Sequence, residues 1–293
     1  MPRRPAVTFS ISDIPNQVIA VTGEIRAIRF PEQGQVSDLA CVEASNGSFA
    51  LKRIRRKIEF LEDAVDTFPP SPEMAEEEYR VLRVLAPLGL PLPSAHALVH
   101  LGVPPDDEAW VVMDALPGNP LKDGEESPAL MRSLGRALAK IHRCPVPAGW
   151  SGGGGDPFAW RVEMIEGWIR DAERTPGREK DIEELRSRLR AIADLRAHEP
   201  APVPPTVIHG ELNYMNILVV GTEVSGIVDW TGGGVGDPRQ DVANVVRYKN
   251  WERFDTDELV LALFEGYGTP PPARDVLTFF WRLGGVLWGE LES

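Results

Sequence analysis

The chain has 293 residues, 43% apolar and 26% charged, which suits a soluble globular protein of one large or two modest domains and excludes a disordered chain. Against 31 basic residues stand 44 acidic ones, and the net charge of -13 disfavours nucleic acid and acidic membrane surfaces as partners while favouring cationic ligands. Cys41 and Cys144 cannot build a disulfide framework or a cysteine metal cluster, the start MPRRPAVTFSISD has no signal-peptide core, and no stretch reaches about 18 consecutive apolar residues, so the expected location is a reducing cytoplasm.

Residues 1 to 16 carry no pattern. Residues 18 to 21 and 25 to 30 read as short strands broken at Thr22-Gly23. Two further strands, 39 to 44 and 48 to 54, meet around Asn46-Gly47, a turn pair suited to a tight hairpin. In the second of them Phe49 and Leu51 share one face, leaving Ala50 and Lys52 on the other. A lone lysine in such a strand is either a snorkelling edge residue or a site cation that meets an anion. After a linker with Pro69, Pro70 and Pro72, a helix is expected over 73 to 85, its acidic start matched to the positive helix N-terminus. Glu76, Glu77 and Glu78 read first as a solvated face. Glu78, however, lies one turn from Leu82 on the stripe formed by Val81, Leu82 and Leu85, and a glutamate turned inward needs a cationic partner. Lys52 is the candidate.

Residues 110 to 113 read as the last strand of this region, and DALPGNPL (114 to 121) as a connector, which places a domain boundary between 1–114 and 115–293. The periodicity then turns helical. Leu130, Leu134, Leu138 and Ile141 form one stripe, ending in His142 and Arg143, with His142 read as a capping or core residue. SGGGGDP at 151 to 157 reads as a linker. Val162, Ile165, Trp168 and Ile169 form a second stripe, and Ile182, Leu185, Leu189, Ile192 and Leu195 a third.

The densest chemistry lies in 206 to 241. Val207 and Ile208 end a buried strand, residues 209 to 216 form an exposed loop, and 217 to 220 with 226 to 228 form a hairpin that delivers Asp229. A strand-end carboxylate with Glu211 and Asn216 from the loop is a way to gather oxygen ligands for a hard cation such as Mg²⁺. Two more helices follow, carrying Leu259, Leu263 and Tyr267, then Val276, Phe280, Leu283 and Leu287; Trp281 and Trp288 at this spacing read as core.

HGELNYMNIL, GIVDW and GDPRQD together resemble the aminoglycoside phosphotransferase and choline kinase group, over residues 18 to 288. The resemblance implies an α+β, two-lobed protein-kinase-like fold, with a small antiparallel sheet lobe that binds nucleotide and a larger helical lobe with the catalytic loop and acceptor site. It implies Asn216 and Asp229 as Mg²⁺ ligands, Lys52 in FALKR on the nucleotide phosphates, and Glu78 in EEEYRVL as its partner. It also implies purine contacts from the backbone of Val112, Met113 and Asp114 in an inter-lobe hinge. Backbone N–H groups of Gln35 to Ser37 would serve the phosphates, although PEQGQVSD holds only Gly34 and no GxGxxG. Glu211 stands where the family has its catalytic aspartate, one methylene longer, a displacement of roughly 1.5 Å. His209 is expected to brace the loop, and Asp237 and Asp241 to accept backbone N–H groups or cap a helix.

The implied activity moves the γ-phosphate of ATP or GTP to a hydroxyl of an aminoglycoside-like or other small acceptor, with antibiotic modification as one role. Asp255, Asp257, Glu258, Glu265 and Asp275 would suit an acceptor bearing amines. The alternative, supported by Glu211, is a catalytically degenerate protein that binds nucleotide or ligand. A zinc deaminase built on His209-x-Glu211 fails for want of paired downstream cysteines.

Overall fold

The computed structural model describes residues 9–31, 37–56, 71–104, 106–150, 156–246 and 254–288. Gly34, Gln35 and the glycine run at 152–155 lie outside these residues. The chain forms two compact units, one containing Met1–Leu61, Phe68–Gly118 and Ser225–Thr231, the other Asn119–Val224 and Gly232–Ser293.

The first unit is built on an antiparallel five-stranded sheet of order β1-β2-β3-β5-β4, from β1 (Ile25–Arg29), β2 (Asp38–Ala44), β3 (Gly47–Arg55), β4 (Ala95–Leu101) and β5 (Glu108–Asp114). The β2–β3 hairpin closes one residue earlier than the Asn46-Gly47 pair suggests: Ala44 is opposite Gly47, the turn falls on Ser45-Asn46, and Gly47 opens β3 with φ 137°, the positive φ that Asn46 does not take. Strand alternation then sorts the side chains. Phe49, Leu51, Trp110 and Val112 join Ala40, Val42, Phe9 and Val18 in one core. Lys52, opposite Leu39 and Val111 in the register, belongs to the other alternation. Helix α2 (Pro72–Leu85) packs on β3, β4 and β5 and buries Ala75, Glu78, Val81, Leu82 and Leu85.

Residues 18 to 21 are not a strand. They lie in helix α1 (Asn16–Thr22), which starts after Pro15 and ends where Gly23 takes φ 76°. Their β-branched character favours strands only weakly against packing. Here Val18 and Thr22, one turn apart, are both fully buried, and Thr22 Oγ1 donates to Val18 O. β4 had no counterpart in the sequence reading, because its burial follows no clean alternation.

The second unit is mainly helical, with α3 (Pro128–His142), α4 (Ala159–Glu173), α5 (Glu179–Ala197), α6 (Arg239–Val246), α7 (Glu258–Tyr267) and α8 (Arg274–Gly285). Its strands are short. β6 (Asn119–Pro120) pairs with β8 (Ile217–Val220), and β7 (Thr206–Ile208) pairs with β10 (Gly234–Gly236), Ile208 opposite Gly234. Strand β9 (Glu223–Ile227) begins in this unit and ends in the first. Among the described residues no helix is long and apolar enough to cross a membrane.

α3 and α7 approach through paired glycines. A Cβ on Gly135 would land on the Leu263 carbonyl, and one on Gly266 on the Arg132 carbonyl. Both obstacles are backbone, so the helices must separate to admit a methyl. Gly135→Ala is expected to lose about 1–3 kcal/mol despite its better helix propensity, read as a lower midpoint in urea unfolding.

Candidate active site

Lys52, Glu78 and Asp229 meet in the first unit. β3 fixes Lys52, α2 fixes Glu78, and the segment after β9 brings in Asp229. The ammonium lies 2.7 Å from Glu78 Oε2 and 2.7 Å from Asp229 Oδ1. Lys52 and Glu78 are buried at 7% and 1% exposure, whereas the Asp229 side chain is 46% exposed. Burial alone would lower the lysine pKa, but the two carboxylates reverse this and hold it well above the ordinary value. Burial, with Asp229 nearby, pushes Glu78 up. The Trp230 N–H donates to Glu78 Oε1 at 3.3 Å, and the Thr231 hydroxyl to Asp229 Oδ1 at 3.2 Å. Asp229 has φ 64°, the one non-glycine left-handed residue among those described, a conformation that costs about 1–3 kcal/mol and tends to persist where function needs it.

Val112 and Met113 lie inside β5 with partners from β3 and β4 on both sides. The Asp114 N–H donates to Ser94 O, and its carboxylate accepts from His96 Nε2 at 2.6 Å and from the Ser94 N–H. The next residue, Ala115, donates its N–H to Ser48 O at 3.2 Å. Ser37 is described; Gln35 is not.

In the second unit the loop after β7 is tied from beneath. Asp241, in the first turn of α6 and fully buried, accepts the His209 N–H at 2.7 Å and the Gly210 N–H at 2.9 Å, and meets His142 Nε2 at 3.2 Å. His142 Nδ1 is in turn 2.9 Å from the Tyr267 hydroxyl. Gln240 Nε2 donates to Gly210 O at 2.6 Å. Gly210 has φ 82°, and a Cβ there would strike the Gly232 carbonyl, so this tight point admits only glycine. Buried His209 accepts the Glu211 N–H on Nδ1 at 3.4 Å, a bracing rather than a proton-transferring contact. Beyond it Glu211 is exposed. Asn213 caps the 3-10 turn Tyr214–Asn216 through the Met215 N–H, and Asn216 Nδ2 donates to Glu211 O at 3.2 Å. Asp237 caps the start of α6 through the Arg239 N–H.

The pattern of the phosphotransferase enzyme family matches residues 28–280. The chain belongs to that family. Among relatives, it is 31% identical to viomycin phosphotransferase of Streptomyces vinaceus over 176 residues, 56% of this chain and 59% of that one. It is 28% identical to a homoserine kinase of Rhizobium rhizogenes over 193 residues, 64% and 56% of the respective chains. The chain thus spans little more than half the length of these two relatives. Amicoumacin kinase, solved with AMP-PNP, Ca²⁺ and its ligand, superposes with TM-score 0.62 at 12% identity over 93% of this chain and 83% of that one. Aminoglycoside and macrolide phosphotransferases are further structural neighbours, and the shared fold is protein-kinase-like.

Two side chains carry oxygen donors of the kind a hard divalent cation takes. Asp229 offers a half-exposed carboxylate. Asn216 directs its amide nitrogen to Glu211 O, which leaves the amide oxygen as its ligand atom. Among the described residues no group of three or more His, Cys, Asp or Glu is placed to hold a metal ion.

Sequence reasoning did not single out Gln240, Thr231 or Arg161. Gln240 sits inside the quoted GDPRQD, so its position was visible and only its partner was not. Arg161, next to Trp160 on α4, is 3% exposed, a burial that no local sequence signal marks.

Burial would raise the Asp241 carboxyl, but bonding to His142 and the nearby His209 outweighs it and holds the pKa below the ordinary value. Its stabilisation is therefore complete above the unfolded-chain pKa of about 3.9 and is lost as pH falls through the lower folded value. Asp241→Asn should cost about 3 kcal/mol at neutral pH and flatten the fall of Tm as pH drops below about 4, measured by calorimetry across pH.

Proposed function

We propose that the protein is a Mg²⁺-dependent small-molecule kinase that moves the γ-phosphate of ATP or GTP to a hydroxyl of a small acceptor. The observation that carries this reading is the buried Lys52, held at 2.7 Å by both Glu78 and Asp229. A cation fixed that firmly is a preorganised point charge for phosphate oxygens, and phosphoryl transfer asks the protein chiefly for position and charge. The first unit is the nucleotide-binding lobe and the second the catalytic and acceptor lobe. Lys52 holds the phosphates, Glu78 holds Lys52, and the connector after Asp114 meets the base. Asp229 and Asn216 would hold Mg²⁺, which when bound neutralises charge on the β- and γ-phosphates. Glu211 orients the acceptor hydroxyl and takes its proton; the oxygen bonds to the γ-phosphorus as the bond to the bridging oxygen breaks, and the nucleoside diphosphate leaves.

Exposure of Glu211 favours this role, since the bracing of His209 and Gly210 on Asp241 lets a longer side chain reach out without moving the loop. The relatives named for viomycin and for homoserine leave antibiotic and metabolite acceptors both open.

Asp229→Ala is expected to abolish both turnover and thermal stabilisation by Mg-nucleotide; unchanged stabilisation would refute the metal assignment. Glu211→Ala should lower kcat on the order of a hundredfold or more, while Glu211→Asp retains or raises it. Equal rates for wild type and Glu211→Ala would remove Glu211 from the chemistry, and no product from wild type with any acceptor would favour a binding protein.

A further inference from the structure

Among the described residues, Arg161, in the first turn of α4, is a buried cation with no carboxylate at ion-pair distance. Nη1 donates to Pro157 O at 2.6 Å, and the guanidinium lies 4.3 Å from the centroid of the Trp160 ring, whose residue is 37% exposed. Nε is buried and has no hydrogen-bond partner. The charge that Arg161 feels is Glu211 of the catalytic loop, in the same unit. Burial lowers its pKa only to about 10, so it stays cationic at neutral pH.

A buried guanidinium with an unmade bond is costly unless something completes it. Completion from within the chain would take a carboxylate at ion-pair distance, as Arg53 has in Glu108 and Arg239 in Asp237. For Arg161 the pairing edge remains. With Nη1 committed to Pro157, the edge formed by Nε and Nη2 presents two parallel N–H groups, the geometry that matches a carboxylate bidentately. The same charge would offset the repulsion between an anionic acceptor and Glu211.

We propose that Arg161 is an acceptor subsite and that this kinase takes a small hydroxy-carboxylate, whose carboxylate docks on the Nε–Nη2 edge while its hydroxyl meets Glu211. Rotation of the partly exposed Trp160 indole admits it. The inference rests on the kinase reading for the second half of that statement and on Arg161 itself for the first. It also reverses the expectation drawn from net charge, because the group nearest the reacting hydroxyl is a cation.

The test uses the full chain with Mg-ATP and paired acceptors: serine, threonine, homoserine and 4-hydroxybutyrate, each against its primary amide. Phosphorylation is read by mass gain, and binding by thermal stabilisation with nucleotide omitted. Wild type should prefer at least one acid over its amide by about a hundredfold in kcat/KM, the scale of a charge-assisted bidentate contact. Arg161→Gln and Arg161→Met should bring that ratio to about one with the amide rate kept, and Arg161→Lys should retain part of it, lacking the fork. A wild type that treats acids and amides alike overturns the proposal. So does a variant that keeps the preference, or one that loses acid and amide rates equally, which would make Arg161 a support for Glu211. If no acceptor is phosphorylated but acids stabilise wild type and not Arg161→Gln, the subsite stands and the kinase reading falls. If acids neither react nor stabilise, the subsite falls.

Discussion

The first unit depends on one lysine between two carboxylates. Lys52 is carried on a strand whose alternate residues fill an apolar core, so its own side of the sheet must accept a buried charge, and Glu78 on α2 answers it. A buried pair of this kind adds little net stability over an apolar packing, while breaking it is expensive. Its value is therefore positional. Asp229, half-exposed and in a strained backbone conformation, shares the same ammonium at 2.7 Å, which ties its carboxylate to the rigid sheet and helix.

The second unit solves a similar problem with a different charge. A loop that exposes Glu211 has to satisfy its own backbone inward, and Asp241 does this with two N–H groups and a histidine. His142 and Tyr267 extend the network to α3 and α7, the two helices that close contact at Gly135 and Gly266 holds together. Loop position thus rests on helix packing. The same unit leaves Arg161 with Nε buried and no hydrogen bond made to it among the described residues.

Much of this was legible from residues. Asn46-Gly47 marked the hairpin because few residues suit positive φ, although the turn itself falls on Ser45-Asn46 and Gly47 begins β3, and the stripes on α3 to α5 gave helices because 3.6-residue periodicity is local information. The partnership of Lys52 with Glu78 followed from the cost of burying either alone. The segment at 18 to 21 was misread because its β-branched run carries a strand preference that packing of Val18 and Thr22 overrode. β4 was missed because its half-buried residues follow no alternation.

Sequence by itself determined the family, the hairpin and helical pattern, and which residue types stand at the candidate site, since these depend on spacing and on local conformational preference. Only the tertiary structure decided what each polar group touches: that Asp241 holds the His209 and Gly210 amides, that β5 is paired on both sides at Val112 and Met113, and that Arg161 is buried with no carboxylate at ion-pair distance among the described residues. Hydrogen bonds and burial join residues distant in the chain, and a carboxylate's or guanidinium's role is set by those partners rather than by its neighbours in sequence.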